Sequence, residues 1–165
     1  MTRRLSPVGL DFVESAPLRL VFSTDMSAPP KLVYEALAED VAGWPSWFAA
    51  VSSATPTHEG AGREVRLKGG VFFRETIVAT EPEERYAYRV DETNAPALQA
   101  LLEEWRLTAT ATGTRVRWTF AVSGPAALRV VLRLARAGLG LSFRSAVRRL
   151  DRRLAGPTPR RGAEQ

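Results

Sequence analysis

The 165-residue chain contains no cysteine, one histidine and only two lysines. Without cysteine it cannot form a disulfide, a catalytic thiolate, a Cys-ligated zinc site or an iron–sulfur cluster. His58 lies in a predicted turn, where a Ser-His-Asp triad is not expected. The sequence also lacks a P-loop and a strand-linked dinucleotide-binding glycine motif. We therefore predict neither a metal nor a cofactor.

Long apolar runs are also absent. No segment approaches the roughly 20 apolar residues that a membrane-spanning helix needs. The basic residues at positions 3 and 4 are not followed by the apolar core of a signal peptide. We expect a cytoplasmic protein with one domain at 16–155, an N-terminal extension at 1–15 and a flexible tail at 156–165.

The net charge is +5, and most of the basic residues are arginines. Such a balance permits an anionic partner but does not identify one. No nucleic-acid reader motif is visible, and the exposed aromatic residues needed to stack on single strands are not expected on the arginine stripe of the C-terminal helix. We therefore do not expect nucleic acid as a partner.

Hydrophobic periodicity predicts an order of strands and helices. A first strand at 18–26 precedes two short helices, one at 31–40 and one that begins near Asp40. The segments with strand-like alternation that follow are 51–57, 63–68, 71–80, 85–91, 102–112 and 114–122. One long amphipathic helix is predicted at 126–154. Short turns between the strands favour an antiparallel sheet.

This order predicts an α+β fold in which a curved antiparallel sheet of about seven strands wraps around the long C-terminal helix. The sequence resembles the SRPBCC, or START-like, superfamily in its polyketide cyclase/dehydrase and lipid-transport branch. The resemblance is carried by "AEDVAGWPSWFAAV", "FRETIVATEPEERYAYRV", "EEWRLTATATGTRVRWTF" and the terminal helix. It implies a helix-grip fold with a hydrophobic cavity between the sheet and the helix.

Alternation along the strands assigns side chains to the inner face of the sheet. Together with the helix and the helical connection, it predicts a set of ligand-contacting residues. These are Trp47, Phe48, Val65, Leu67, Phe73, Glu75, Tyr88, Trp105, Trp118, Leu139 and Phe143.

Glu75 is the candidate catalytic residue. If Phe73 faces inward, so does Glu75; the opposite phase would place Arg74 inside, and we favour the first. A buried carboxylate needs water or a partner. Glu75 is therefore expected either near water in a roomy cavity, or hydrogen-bonded to a partner such as Tyr88, or in an ion pair across strands at the sheet edge. Glu103 shares the inner face of its strand but is expected at the rim.

The stretch "AGWPSWFAAV" concentrates three large rings after the first helix. Trp47 and Phe48 are expected either to line the cavity or to fill the core beneath the short helices. Trp44 is expected to be the more peripheral ring.

Three functions remain open from the sequence. The first is binding of a hydrophobic or amphipathic small molecule, lipid-like or polyketide-like, in the cavity. The second is a polyketide aromatase/cyclase that uses Glu75. The third is an interaction protein without a ligand, acting through the basic helix. A second apolar line on that helix, Val130, Leu134, Ala137 and Leu141, predicts a homodimer or anionic-membrane contact unless loops cover it.

Overall fold

An antiparallel sheet dominates the computed structural model, which describes residues 1–156 of the chain. Its strands are β1 Arg3–Arg4, β2 Leu18–Met26, β3 Val51–Thr57, β4 Gly62–Leu67, β5 Phe72–Glu81, β6 Arg85–Thr93, β7 Ala100–Thr110 and β8 Gly113–Ser123. The main path runs β2-β8-β7-β6-β5-β4-β3, and the short β1 pairs with β6. The predicted number of about seven strands is therefore confirmed, and so is the α+β helix-grip class.

The N-terminal residues are attached to this sheet. After β1, the short helix α1, Phe12–Ser15, lies against β7 and β8. Leu5 and Val13 are both buried, so residues 1–15 contribute to the packing of the domain. Apart from Gly156, the tail predicted at 156–165 lies outside the described residues.

The connection between β2 and β3 is helical, as its sequence indicates. Helix α2, Pro30–Tyr34, continues into a π-helical turn at Glu35–Glu39 and then into a 3₁₀ helix at Val41–Ser46. Pro30 occupies the first turn of α2, where its missing N–H costs nothing. The connection places its tryptophans over the inner face of the sheet.

The C-terminal segment forms two helices, α3 at Ala126–Leu134 and α4 at Arg136–Leu154. The helix predicted at 126–154 is present over this range but is interrupted at Ala135, where ψ is −6°. The N–H of Ala135 still donates to the Val131 carbonyl oxygen, and the N–H of Leu139 donates to that of Ala135, so the interruption leaves the apolar periodicity nearly unchanged and the sequence pattern did not reveal it.

The two helices differ in how they pack. Helix α4 buries Phe143, Ala146, Val147 and Leu150, whereas α3 buries no residue. Gly140 allows α4 to approach β2, since a Cβ there would lie 3.2 Å from the Phe22 ring. Among residues 1–156, no helix combines the length and the apolar character needed to cross a bilayer.

Candidate functional site

A cavity of about 180 Å³ lies between α4, the helical connection and six consecutive strands, β3 to β8. Its position follows from the curvature of the sheet, whose inner face is only partly filled by α4. The lining residues are Trp44, Phe48, Ala50, Val51, Arg63, Val65, Leu67, Phe73, Glu75, Tyr88, Glu103, Trp118, Phe120, Leu139 and Ser142.

Most of the residues selected from the sequence lie around this cavity. They are Phe48, Val65, Leu67, Phe73, Glu75, Tyr88, Trp118 and Leu139. Trp47, Trp105 and Phe143 do not line it; each is at most 1% exposed and fills the core beside it. Alternation assigns a side chain to a face of the sheet but does not say whether it borders empty space or another side chain.

An aromatic cluster forms the wall of the cavity next to the core. The rings of Trp105 and Trp118, directly paired across β7 and β8, stack with their centroids 5.6 Å apart. Trp44 lies 4.8 Å from Trp47 and 5.8 Å from Trp105, again between ring centroids. The expectation that Trp44 is peripheral is wrong, since it is 2% exposed and lines the cavity. The 3₁₀ helix turns its ring inward, and its indole Nε1 donates to the Leu37 carbonyl oxygen.

A buried ion pair lies at the polar end of the cavity. Arg63 on β4 and Glu75 on β5 are directly opposite each other, and the Arg63 Nε donates to Glu75 Oε2. Both side chains are 2% exposed. Glu75 therefore faces inward and Arg74 outward, where Arg74 pairs with Glu64 and Glu92.

Of the partners considered for Glu75, Tyr88 does not bond to it, and the ion pair across strands is present, with Arg63 as the partner and buried rather than exposed at the sheet edge. In the β5–β6 ladder Tyr88 is opposite Ile77, and register shifts flank this part of β5. Strand register depends on such bulges and on turn geometry, which alternation does not reveal.

Arg63 is also enclosed by aromatic rings. Its guanidinium carbon lies 3.7 Å from the centroid of the Tyr88 ring and 4.3 Å from that of the Trp44 ring. Cations are stabilised over the faces of aromatic rings, so these contacts offset part of the cost of burial. Its Nη1 has no hydrogen-bond partner among the described residues.

A second buried carboxyl group belongs to Glu103. Its Oε2 accepts hydrogen bonds from the Tyr88 hydroxyl at 2.7 Å and from the Trp118 Nε1 at 2.9 Å. The Trp105 Nε1 donates to the Tyr88 hydroxyl at 3.1 Å. The prediction that Glu103 lies at the rim is wrong, because β7 begins at Ala100 and carries Glu103 beneath the aromatic cluster.

Burial controls the protonation of the carboxyl and hydroxyl groups at the polar end of the cavity. Desolvation raises the pKa of Glu75 to about 7, although the Arg63 charge opposes the rise and the Glu103 charge adds to it. Desolvation also raises the pKa of Glu103, against the stabilising hydrogen bond from Tyr88. The pKa of Tyr88 lies well above its usual value, first because of desolvation and then because of Glu103. Tyr88 therefore remains a hydrogen-bond donor at neutral pH.

The cavity thus combines apolar walls with groups that can bind or transfer a proton. Glu75 Oε1 and Glu103 Oε1 accept no hydrogen bond within the described residues. Arg63 was missed as a site residue, although the alternation that placed Val65 and Leu67 inside also places Arg63 there.

No metal site is apparent in this region. Within residues 1–156, no cluster of His, Asp or Glu side chains is arranged to hold a metal ion. The only histidine, His58, is exposed in a short 3₁₀ turn between β3 and β4.

The sequence of the chain matches a family model over residues 17–155. The family is described as "Polyketide cyclase / dehydrase and lipid transport". The chain belongs to this family. Its members with START-like folds generally bind small hydrophobic ligands, which agrees with the position of the cavity.

The chain is also similar to known proteins in sequence and to solved structures in fold. Uncharacterized proteins of Mycobacterium tuberculosis and Mycobacterium bovis are 36% identical over 152 residues, covering 88% of this chain and 89% of theirs. The aromatase/cyclase Zhui from Streptomyces sp. R1128 superposes with a TM-score of 0.70 at 20% identity, over 86% of this chain and 99% of Zhui. A START superfamily protein from Mycobacterium smegmatis gives a TM-score of 0.65 at 8% identity, over 85% of this chain and 99% of the other. These structural likenesses show the fold.

Proposed function

We propose that this protein binds a compact amphipathic molecule whose apolar ring lies in the cavity and whose polar group lies at the Arg63 end. The observation that carries this proposal is the buried Arg63–Glu75 pair beside Glu103 in an otherwise apolar cavity. Buried charged groups cost several kcal/mol, and ionisable groups with perturbed pKa values in a cavity cluster at functional sites.

The size of the cavity limits the ligand. A cavity of about 150 Å³ holds one benzene ring, and drug-sized ligands usually occupy roughly 300–1,000 Å³. With about 180 Å³, this cavity accommodates one substituted ring. A cavity of this size favours a compact ligand over a two-chain lipid or an extended poly-β-keto chain.

The polar groups at the Arg63 end of the cavity indicate which polar substituent the ligand carries. The unpaired Nη1 of Arg63 is a donor, and the free Oε1 atoms of Glu75 and Glu103 are acceptors. A carbonyl or phenolic group can hydrogen-bond with such a set. The half-buried Leu67, Phe73 and Leu139 would contact the apolar part of the ligand.

Native mass spectrometry followed by denaturing extraction tests the proposal directly. We expect an additional mass of roughly 100–200 Da, in keeping with one substituted ring, that disappears on denaturation. Isothermal titration calorimetry with 4-hydroxyacetophenone, p-cresol and toluene then tests the polar end. The first two should bind more tightly than toluene, and Glu103→Gln should reduce that preference. Absence of both a co-purified mass and any binding would overturn the proposal.

A second candidate is proton-transfer catalysis of the cyclase or dehydrase type. The observation that favours it is the presence of two buried carboxyl groups at the cavity, one with a pKa raised to about 7. A general acid or base works best with a pKa near the working pH. Glu75 is the candidate catalytic residue, and the cavity volume requires a compact substrate.

Proton exchange of a small carbon acid tests this candidate. With a compact β-diketone such as 2-acetylcyclohexanone, we would measure enolisation by proton exchange at the activated carbon. The wild type should accelerate the exchange and Glu75→Gln should abolish the acceleration, while the Arg74→Gln control should retain it. Equal rates with and without the protein would leave binding as the function.

A further inference from the structure

The exposed face of the C-terminal helices is an apolar line that the rest of the described chain does not cover. Val130, Val131, Leu134 and Leu141 are 50%, 60%, 81% and 61% exposed, respectively. Among residues 2–156, the only other exposed large hydrophobic side chain is that of Leu32, at 36%. Large apolar side chains clustered on a surface mark an interaction site.

The helix that carries most of them is poorly anchored to the domain. None of the nine residues of α3 is buried. Leu128 and Leu132 are only partly buried against the core. Helix α3 therefore turns Leu128 and Leu132 toward the core and leaves its other apolar side chains, Val130, Val131 and Leu134, exposed to solvent.

The charge around the line has a single sign. Residues 126–150 contain six arginines and neither aspartate nor glutamate. Among residues 1–156, none of these six arginines forms an ion pair. They are Arg129, Arg133, Arg136, Arg144, Arg148 and Arg149.

Apolar and basic side chains meet at one groove. Leu134 and Leu141 lie there with Arg133, Arg136 and Arg144, and β2 forms the opposite wall through Phe22. The Arg136 guanidinium is 5.2 Å from the centroid of the Phe22 ring. Basic residues that flank an exposed apolar line are typical of helices that lie in a membrane interface.

We propose that the α3–α4 face binds the surface of an anionic lipid bilayer. Leu134 and Leu141 would enter the boundary between headgroups and acyl chains, and the flanking arginines would contact the anionic headgroups. A second copy of this chain fits less well, because two such faces would bring six arginines against six. Nucleic acid would attract the arginines but would leave the leucines exposed to water.

This proposal is independent of what the cavity binds. The cavity is lined from α4 by Leu139 and Ser142, whereas the groove is lined by Leu141 and Arg144 of the same helix. The two sites thus lie on different sides of α4, and a variant of one leaves the other intact.

Vesicle co-sedimentation tests it with the full chain. We expect binding to vesicles of phosphatidylcholine with phosphatidylglycerol, no binding to phosphatidylcholine alone, and a decrease as salt is added, since salt screens the arginines. Arg133→Glu/Arg136→Glu should weaken binding at least roughly tenfold, because each basic residue near the surface contributes substantially. The control Arg66→Glu/Arg117→Glu makes the same charge change on the sheet and should bind like the wild type.

A second variant separates the apolar contribution from the charge. Leu134→Ser/Leu141→Ser should also lose binding to anionic vesicles, and its circular dichroism spectrum should match that of the wild type. Binding that survives this variant would reduce the interaction to charge attraction and overturn the proposal. It would equally be overturned by no binding to anionic vesicles, or by a dimer in light scattering that the leucine variant dissociates.

Discussion

The guanidinium carbon of Arg63 on β4 lies 3.7 Å from the centroid of the Tyr88 ring on β6. The strand between them, β5, supplies Glu75, the direct ladder neighbour of Arg63. Tyr88 in turn is the ladder neighbour of Glu103 on β7 and donates to it. Four adjacent strands therefore place one connected polar group on the inner face, and the cavity ends against it.

The Arg63–Glu75 pair should show strong energetic coupling. Removing one partner of a buried pair leaves an uncompensated charge and costs about 3–5 kcal/mol, whereas apolar replacement of both is much less costly. We expect Arg63→Met and Glu75→Leu each to lower the free energy of unfolding strongly. The double variant should lose less than the sum of the two single losses. Urea denaturation of the four proteins measures this coupling. Strictly additive losses would mean that the pair does not act as a unit.

The raised pKa of Glu75 predicts how stability depends on pH. Between the ordinary value of 4.5 and about 7, the folded state binds more protons than the unfolded state. The free energy of unfolding should therefore decrease as pH rises through this window. The difference between wild type and Glu75→Gln, measured by thermal unfolding at several pH values, isolates this contribution. A difference that stays constant with pH would contradict the prediction.

Two neighbouring tryptophans should respond differently to the same substitution. Trp44→Phe leaves the buried Leu37 carbonyl oxygen without its donor, which costs about 1–3 kcal/mol. The Trp47 Nε1 has no partner within residues 1–156, so Trp47→Phe removes no hydrogen bond. We expect Trp44→Phe to lower the denaturation midpoint more than Trp47→Phe. Equal effects would show that ring volume, and not hydrogen bonding, decides the outcome.

Asp151 should be important for fixing the end of α4. Its carboxylate accepts hydrogen bonds from the Ser27 N–H, the Ser27 hydroxyl and the Ala28 N–H, at 2.8–3.0 Å. Asp151→Ala should destabilise by about 1.5–3 kcal/mol, since these bonds involve a charged acceptor. Asp25→Ala is the control, because the Asp25–Arg115 pair is exposed and should matter little. A similar effect of both substitutions on thermal unfolding would refute a special role for Asp151.

Filling the cavity should abolish ligand binding without unfolding the protein. Leu139→Trp adds a large ring at the half-buried helix side of the cavity. We expect it to remove the binding of 4-hydroxyacetophenone measured by calorimetry and to leave the unfolding temperature nearly unchanged. Leu141→Trp is the matched control, since Leu141 is exposed on the other side of α4. Retained binding in Leu139→Trp would mean that the ligand occupies a different place.

The sequence predicted the strands because one face of each is apolar and the period is two. It therefore placed Glu75, Tyr88 and Trp118 on the inner face. It did not predict the partner of Glu75, since that depends on register shifts in β5. The depth of Glu103 was also missed, because alternation gives the face of a side chain but not its distance from the rim of the cavity.

The sequence by itself determined the sheet, its inner face, the absence of cysteine chemistry and the apolar stripe that holds α4. Only the tertiary structure decided that Arg63 is enclosed between Trp44 and Tyr88, that the remaining cavity measures about 180 Å³, and that the C-terminal helix is interrupted at Ala135. The physical reason is that alternation and periodicity are local properties of the chain. Register, depth and remaining volume arise from how distant segments pack against one another.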